Sequence, residues 1–266
     1  SDLIFATIIL NISQKTMKIA LIGYGKMGKE IEKVARSRGH EIVCIIDINN
    51  QDDFESEAFK SADVAIEFTN PMVAYSNYMR AFKAGVKLVS GSTGWMAVHG
   101  EEIKKLCTEG GKTLFWSSNF SLGVSIFSAL NKYLAKIMNQ FPAYDVTMSE
   151  THHIHKLDAP SGTALMIANA INEEADGKYE YVYDRHAVRQ KRGEQELGIS
   201  SVRGGGIVGD HDVLFCGPEE VVTISHVAQS RGVFADGAVQ AALFLDGCEP
   251  GYYTMTDMLK GKMQCL

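Results

Sequence analysis

The residues Gly23-Tyr24-Gly25-Lys26-Met27-Gly28 constrain this chain more than any other feature, because they mark a change of hydrophobic period. Before them Lys18 to Ile22 reads as a buried strand; after them Met27 to Ser37 reads as a helix and Glu41 to Asp47 as a second strand. That is a β-α-β unit whose first turn is Gly-x-Gly-x-x-Gly. The first glycine permits the tight turn, the second lets the backbone approach a pyrophosphate, and the third lets helix and strand pack closely. Asp47 lies nineteen positions beyond Gly28, where an acid accepts hydrogen bonds from a ribose. The spacing predicts a dinucleotide site made by Gly23, Tyr24, Gly25, Lys26, Met27, Gly28 and Asp47. Because Ile48, not a basic residue, follows Asp47, NADH is favoured over NADPH. A basic residue distant in sequence that reached a 2′-phosphate would keep NADPH open.

The alternation continues. Asp63 to Phe68, Val86 to Ser90 and Thr113 to Trp116 read as strands, with helices over Met72 to Lys83 and Ala97 to Cys107. The expected fold class is α/β, with a Rossmann-type doubly wound parallel sheet. Gly91, Ser92 and Thr93, and likewise Ser117, Ser118, Asn119 and Phe120, follow strands of this sheet, so both loops are candidates for the cofactor edge. Each is equally acceptable as an ordinary turn.

After Asn119 the pattern changes to a helix from about Leu122 to Met138 and then longer strands such as Glu220 to Val227, which predicts a second, α+β domain with a mixed or mainly antiparallel sheet. The expected boundaries are 1–16, an extension that need not be native; 17–120, the dinucleotide-binding domain; 121–232, the second domain; and 233–266, helices returning to the first. Glu173 to Gly198 is charge-rich and reads as a solvated excursion.

The densest chemistry lies in Glu150-Thr151-His152-His153-Ile154-His155-Lys156-Leu157-Asp158-Ala159-Pro160-Ser161-Gly162-Thr163. Strand-like residues Tyr144 to Met148 enter it and the apolar spacing Ala164, Leu165, Ile167, Ala168, Ile171 leaves it, so the histidines are expected where a strand gives way to a loop. Pro160-Ser161-Gly162-Thr163 is a helix opening, whose unpaired N–H groups favour a carboxylate or phosphate. Lys156 adds positive charge. The plainer alternative is a polar pair of histidines on a surface loop beside a solvated lysine. A zinc site from His152, His153 and His155 is disfavoured, since neighbours in extended chain point to opposite faces; no metal is expected.

Composition narrows the classes further. A formal charge of -6 opposes general nucleic-acid affinity, although one cleft can still concentrate positive charge. The five cysteines form no Cys-x-x-Cys pair, which fits a reducing, cytoplasmic setting. The apolar run Leu3 to Leu10 falls short of the roughly 20 residues that cross a bilayer, so no membrane role is expected.

From Lys18 onward the chain resembles the dihydrodipicolinate reductases, also called 4-hydroxy-tetrahydrodipicolinate reductases, of diaminopimelate and lysine synthesis. The resemblance rests on Gly23 to Gly28, Gly91-Ser92-Thr93-Gly94, Asn119 to Gly123 and above all His152 to Thr163. Arg203 to Phe215, with His211, and Ser230 to Ala238 extend it. Departures are Ser92 where threonine is frequent, Ser117-Ser118 in place of more apolar residues, and the non-basic residue after Asp47.

The resemblance implies a homotetramer with a cofactor lobe, a substrate and oligomerisation lobe, and a hinge between them. It also implies a small cyclic dicarboxylate substrate that accepts hydride at ring carbon 4. By the same carry-over His152 is the acid/base and Lys156 a proton donor or an anchor for the developing charge and a carboxylate, while His153, Gly162 and Thr163 hold carboxylates. His155 stays open between structural and functional roles. The rivals are an amino-acid or diaminopimelate dehydrogenase, a cofactor-binding sensor without turnover, and nucleic-acid binding through Arg185 to Arg192.

Overall fold

In the computed structural model, which describes residues 16–260, the glycine turn joins β1 (Lys18–Ile22) to α1 (Lys26–Ser37), and β2 (Glu41–Ile46) follows. The expected extension over 1–16, its apolar run and the end of the tail lie almost wholly outside these residues. Ile19, Ala20, Leu21 and Ile22 are all buried, as expected of a strand covered on both faces. Each large aliphatic side chain so buried contributes about 2 kcal/mol of transfer free energy.

The sheet continues with β3 (Val64–Glu67), β4 (Lys87–Ser90) and β5 (Thr113–Trp116). Between the strands run α2 (Glu57–Lys60), α3 (Pro71–Lys83) and α4 (Met96–Thr108). Asn70 starts α3 by accepting from the Met72 N–H at 3.0 Å, with Pro71 in the first turn, where a missing N–H costs least. Every strand pairing is parallel, in the order β2-β1-β3-β4-β5 and then β11 (Gly251–Tyr253). The order reverses between β1 and β3, which opens a crevice at the carboxyl ends of these strands. The closing strand β11 has no counterpart in the sequence reading. It is three residues long, and its Gly251 N–H donates to the Lys112 carbonyl at 2.9 Å.

The second sheet comprises β6 (Asp145–His152), β7 (Glu180–Val182), β8 (Glu196–Arg203), β9 (Asp210–Cys216) and β10 (Val221–Val227), in the order β10-β9-β6-β8-β7. It is mixed: β10-β9 and β9-β6 are antiparallel, β6-β8 and β8-β7 parallel. Two helices, α5 (Leu122–Met138) and α6 (Gly162–Glu174), supply Phe127, Ala135, Ile167 and Ile171 to a core with Val146, Met148, Ile199 and Val213. The charge-rich excursion departs from expectation. It contains β7, and Arg185 and Arg192 pair with Glu196 and Asp145, so its charges partner the sheet instead of water alone.

The last helices are α7 (Gly232–Asp246) and α8 (Met255–Lys260). Among the described residues, 16–118 with Ala238–Met258 form one compact unit, and Asn119–Gly237 with Leu259 and Lys260 form a second. No helix among the described residues is long and apolar enough to cross a membrane.

Candidate active site

In the first unit the predicted cofactor residues fall at the carboxyl ends of β1, β2, β4 and β5. Gly23 has φ +90°, and a Cβ there would stand 2.3 Å from the Phe68 carbonyl oxygen. A Cβ on Gly28 would stand 2.2 Å from the Gly23 carbonyl oxygen, so α1 can approach the turn only without a side chain. Gly25 is the reverse: nothing lies within 4 Å of its Cβ position, and it caps α1 with no side-chain hydrogen bond. That combination fits a pyrophosphate approaching bare backbone. Lys26 is exposed at the start of α1 and Met27 half-buried, while the Tyr24 hydroxyl donates to Glu32 further along the helix. Asp47 is exposed just beyond β2, and its carboxylate accepts from the Ile48 N–H at 2.9 Å.

The other two loops are less uniform than their sequence suggested. Thr93 and Ser118 are exposed, Gly91 and Ser117 half-buried. Ser92 is buried, and its hydroxyl donates to Glu67 at 2.8 Å while accepting from the Thr69 N–H at 3.0 Å. Its side chain therefore holds the strand ends together. Glu67 is fully buried and also accepts from Ser90 at 2.6 Å and from Thr69; burial raises its carboxyl against these donors. Asn119 and Phe120 belong to the second unit. Asn119 Nδ2 donates to Thr163 Oγ1 at 3.1 Å, and its Oδ1 accepts from the Ser121 N–H at 2.8 Å. Phe120 is buried, its carbonyl against Gly237, where a Cβ would stand 1.7 Å away.

In the second unit β6 runs through His152 instead of ending near Met148. Alternation places Val146, Met148, Glu150 and His152 on one buried face. The His152 Nδ1 lies against the Glu150 carboxylate, which also accepts from Arg203 Nη2 at 2.8 Å and the Ser161 N–H at 3.3 Å. Burial alone raises the Glu150 carboxyl, but hydrogen bonds from Arg203 and Ser201, with the nearby positive charges, carry it below its ordinary value. Burial holds His152 below its ordinary value against the opposing pull of Glu150. The His152 Nε2 side is left clear by Gly209, where a Cβ would stand 2.8 Å from that nitrogen.

His153 is half-buried with Nε2 3.4 Å from Arg231 Nη2, while His155 is exposed. Lys156 Nζ lies 2.8 Å from Asp158 Oδ1. Ser161 is the N-cap of α6, accepting from the Ala164 N–H at 3.1 Å, so the helix opening forms where the sequence placed it. Gly162 is exposed with nothing within 4 Å of its Cβ position, and Thr163 is half-buried. His152, His153, Lys156, Gly162 and Thr163 thus share one strand-loop-helix segment.

The family model described as dihydrodipicolinate reductase, N-terminus, matches residues 17–120, and that described as dihydrodipicolinate reductase, C-terminus, matches residues 123–259. This chain belongs to the dihydrodipicolinate reductase family. A 4-hydroxy-tetrahydrodipicolinate reductase of Caldanaerobacter subterraneus subsp. tengcongensis is 44% identical over 89% of this chain and 95% of that protein. Another, of Staphylococcus epidermidis, is 40% identical over 91% of this chain and 100% of its own length. The fold matches that of a dipicolinate-bound dihydrodipicolinate reductase from Paenisporosarcina sp. TG-14, with TM-score 0.71 and 24% identity over 91% of this chain and 98% of that one. Membership of the dihydrodipicolinate reductase family makes this an oxidoreductase and implies a nicotinamide cofactor, which the glycine geometry fits.

Around His152 of this dihydrodipicolinate reductase stand residues whose contacts the sequence motifs do not reveal. Glu150 and Arg203 are cross-linked through buried charge, His211 faces Glu150 across the β6-β9 register, and Ser161 Oγ lies 3.3 Å from His211 Nε2. The one available signal was Glu150-x-His152, two polar residues spaced to share a strand face. Ligating atoms of Glu150, His152 and His211 lie within 4.8 Å of one another, a different trio from His152, His153 and His155. Arg203 already places a cation 2.8 Å from Glu150, which makes the trio a poor seat for a divalent ion.

Proposed function

We propose that this chain catalyses the nicotinamide-dependent reduction of 4-hydroxy-tetrahydrodipicolinate, by way of dihydrodipicolinate, to tetrahydrodipicolinate in the diaminopimelate route to lysine. The observation that carries the reading is the single segment that joins the buried His152 to Lys156 and to the open start of α6 at Gly162. The bound cofactor supplies hydride to ring carbon 4, and NADH is its favoured form because Ile48 follows Asp47. Gly162 and Thr163 receive one substrate carboxylate on helix-start N–H groups, and His153 assists. Lys156 offsets the negative charge that hydride arrival develops in the ring and anchors a substrate carboxylate.

His152 delivers the ring proton through Nε2, since Nδ1 is held by Glu150. Burial disfavours its charged form in the free protein, and a doubly negative substrate beside it reverses that bias, so protonation accompanies binding. Positioned proton transfer of this kind contributes roughly 10²- to 10⁴-fold in rate.

The assembly we propose is a homotetramer in a cytoplasmic setting. The outward face of the second sheet exposes Ser200, Val202, Val221, Thr223 and Val227, which further copies of the chain would cover. Light scattering that returned a monomer would refute it.

The deciding experiment follows NADH oxidation while a synthase generates the substrate in place from pyruvate and aspartate semialdehyde, with each precursor omitted in turn. Oxidation that needs both precursors is expected, faster with NADH than with NADPH. His152→Gln should lower kcat mainly, and Lys156→Ala should also raise KM. Equal efficiency with NADPH would overturn the cofactor preference, and full activity in a folded His152→Gln would overturn the proton assignment. Cofactor binding without turnover of any cyclic imine would favour the sensor.

A further inference from the structure

The donors assigned to a substrate carboxylate already hold one. Asp158 Oδ1 lies 2.8 Å from Lys156 Nζ, and Asp158 Oδ2 accepts from the Gly162 N–H at 3.3 Å. The two oxygens of this one side chain therefore engage the ammonium and the helix start together. We propose that Asp158 is an internal competitor for the substrate carboxylate and thereby sets the affinity of the site for dicarboxylates. The inference rests on the reading of Lys156 and Gly162 given under the proposed function.

Three observations support competition over a fixed structural contact. The backbone of Asp158 is pinned independently, its carbonyl accepting from Arg203 Nη2 at 2.6 Å, so side-chain rotation releases the carboxylate without moving the loop. The side chain is 57% exposed, so it swings into water and leaves no unpaired buried charge behind. Gly162 carries no side chain and nothing lies within 4 Å of the position its Cβ would take, so no neighbouring group crowds that side of the helix start once the Asp158 carboxylate has left. The Lys156 hydrogen bond also holds the Asp158 carboxyl below its ordinary range, which keeps it a charged rival near neutrality.

A ligand that binds only when the cradle is free has its apparent dissociation constant raised by the reciprocal of the free fraction. An exposed ion pair assisted by one N–H favours the occupied cradle by about fivefold. Removing the rival should then tighten dicarboxylate binding by about the same factor.

The test compares wild type with Asp158→Asn and Asp158→Ala. The readouts are KM for the cyclic substrate and, by calorimetry with NADH present, the dissociation constant of pyridine-2,6-dicarboxylate. The expected result is that both constants fall by about fivefold in Asp158→Ala, with a smaller fall in Asp158→Asn, whose single amide oxygen still accepts from one of the two donors. If Asp158 instead orients Lys156, both variants lose kcat and bind the dicarboxylate more weakly, and the proposal is overturned. Unchanged binding in both folded variants overturns it too. Because calorimetry needs no turnover, tightened binding in a protein inactive on the cyclic substrate would sustain the competitor while removing the reductase reading.

Discussion

His211 makes the second unit sensitive to acid, by an amount that follows from its burial. The ring is 3% exposed, lies 5.2 Å from that of His152 and faces Glu150 across the sheet. Burial pushes its pKa from 6.5 to about 4, with the His152 charge adding to the effect and Glu150 opposing it. The folded state therefore refuses a proton that the unfolded chain accepts, and the unfolded chain binds more protons between those two values. Stability from this group is complete above about 6.5 and is lost as pH falls towards about 4. At about pH 5 the unfolded ring is protonated about 30 to 1 and the folded ring about 1 to 10, a loss of about 2 kcal/mol.

Urea unfolding of wild type and His211→Gln near neutrality and at about pH 5 isolates the term, because glutamine cannot titrate. With slopes of about 2 kcal/mol per molar, the wild-type midpoint should fall by about 1 M more than that of the variant. His152 and His226, also held down by burial, lose stability in the same direction in both proteins and cancel in the comparison. Equal falls would show that His211 is not held neutral by the fold, and the reasoning would fail.

Two further substitutions test the site from either unit. Glu150→Gln removes the charge that raises the His152 pKa and leaves Arg203, 19% exposed, without its carboxylate. The expected result is a kcat lower by at least about tenfold, with the alkaline limb of the pH profile moved to lower pH; an unmoved limb would show that Glu150 does not act through His152. Gly28→Ala drives a Cβ to within 2.2 Å of the Gly23 carbonyl, so helix and turn must part. Overpacking of this kind costs about 1–3 kcal/mol, and fluorescence titration should show NADH binding weakened by tenfold or more, on the order of 1.4 kcal/mol.

What could be read without coordinates was local. The glycine turn, the strands on either side and the helix opening at Ser161 each depend on residues within a few positions of one another. The strand pattern is legible only to Met148, since Glu150 and His152 are polar, and only partners distant in sequence make their burial tolerable. Arg203 lies 53 positions from Glu150, and His211 lies 50 from Ser161. β11 was missed for a related reason: three residues carry no period, and they are set beside β5 by contacts such as Lys87 Nζ to the Asp246 carbonyl at 2.7 Å.

The motifs name donors and acceptors by type and leave open which of them the fold already uses. Ser92 looked like a ligand contact and serves Glu67; Lys156 looked like an unpaired cation and holds Asp158. That difference bears on function, since a free ammonium would make substrate affinity a matter of attraction alone. A paired one makes it the difference between two carboxylates competing for the same donors, one of them carried by the chain itself.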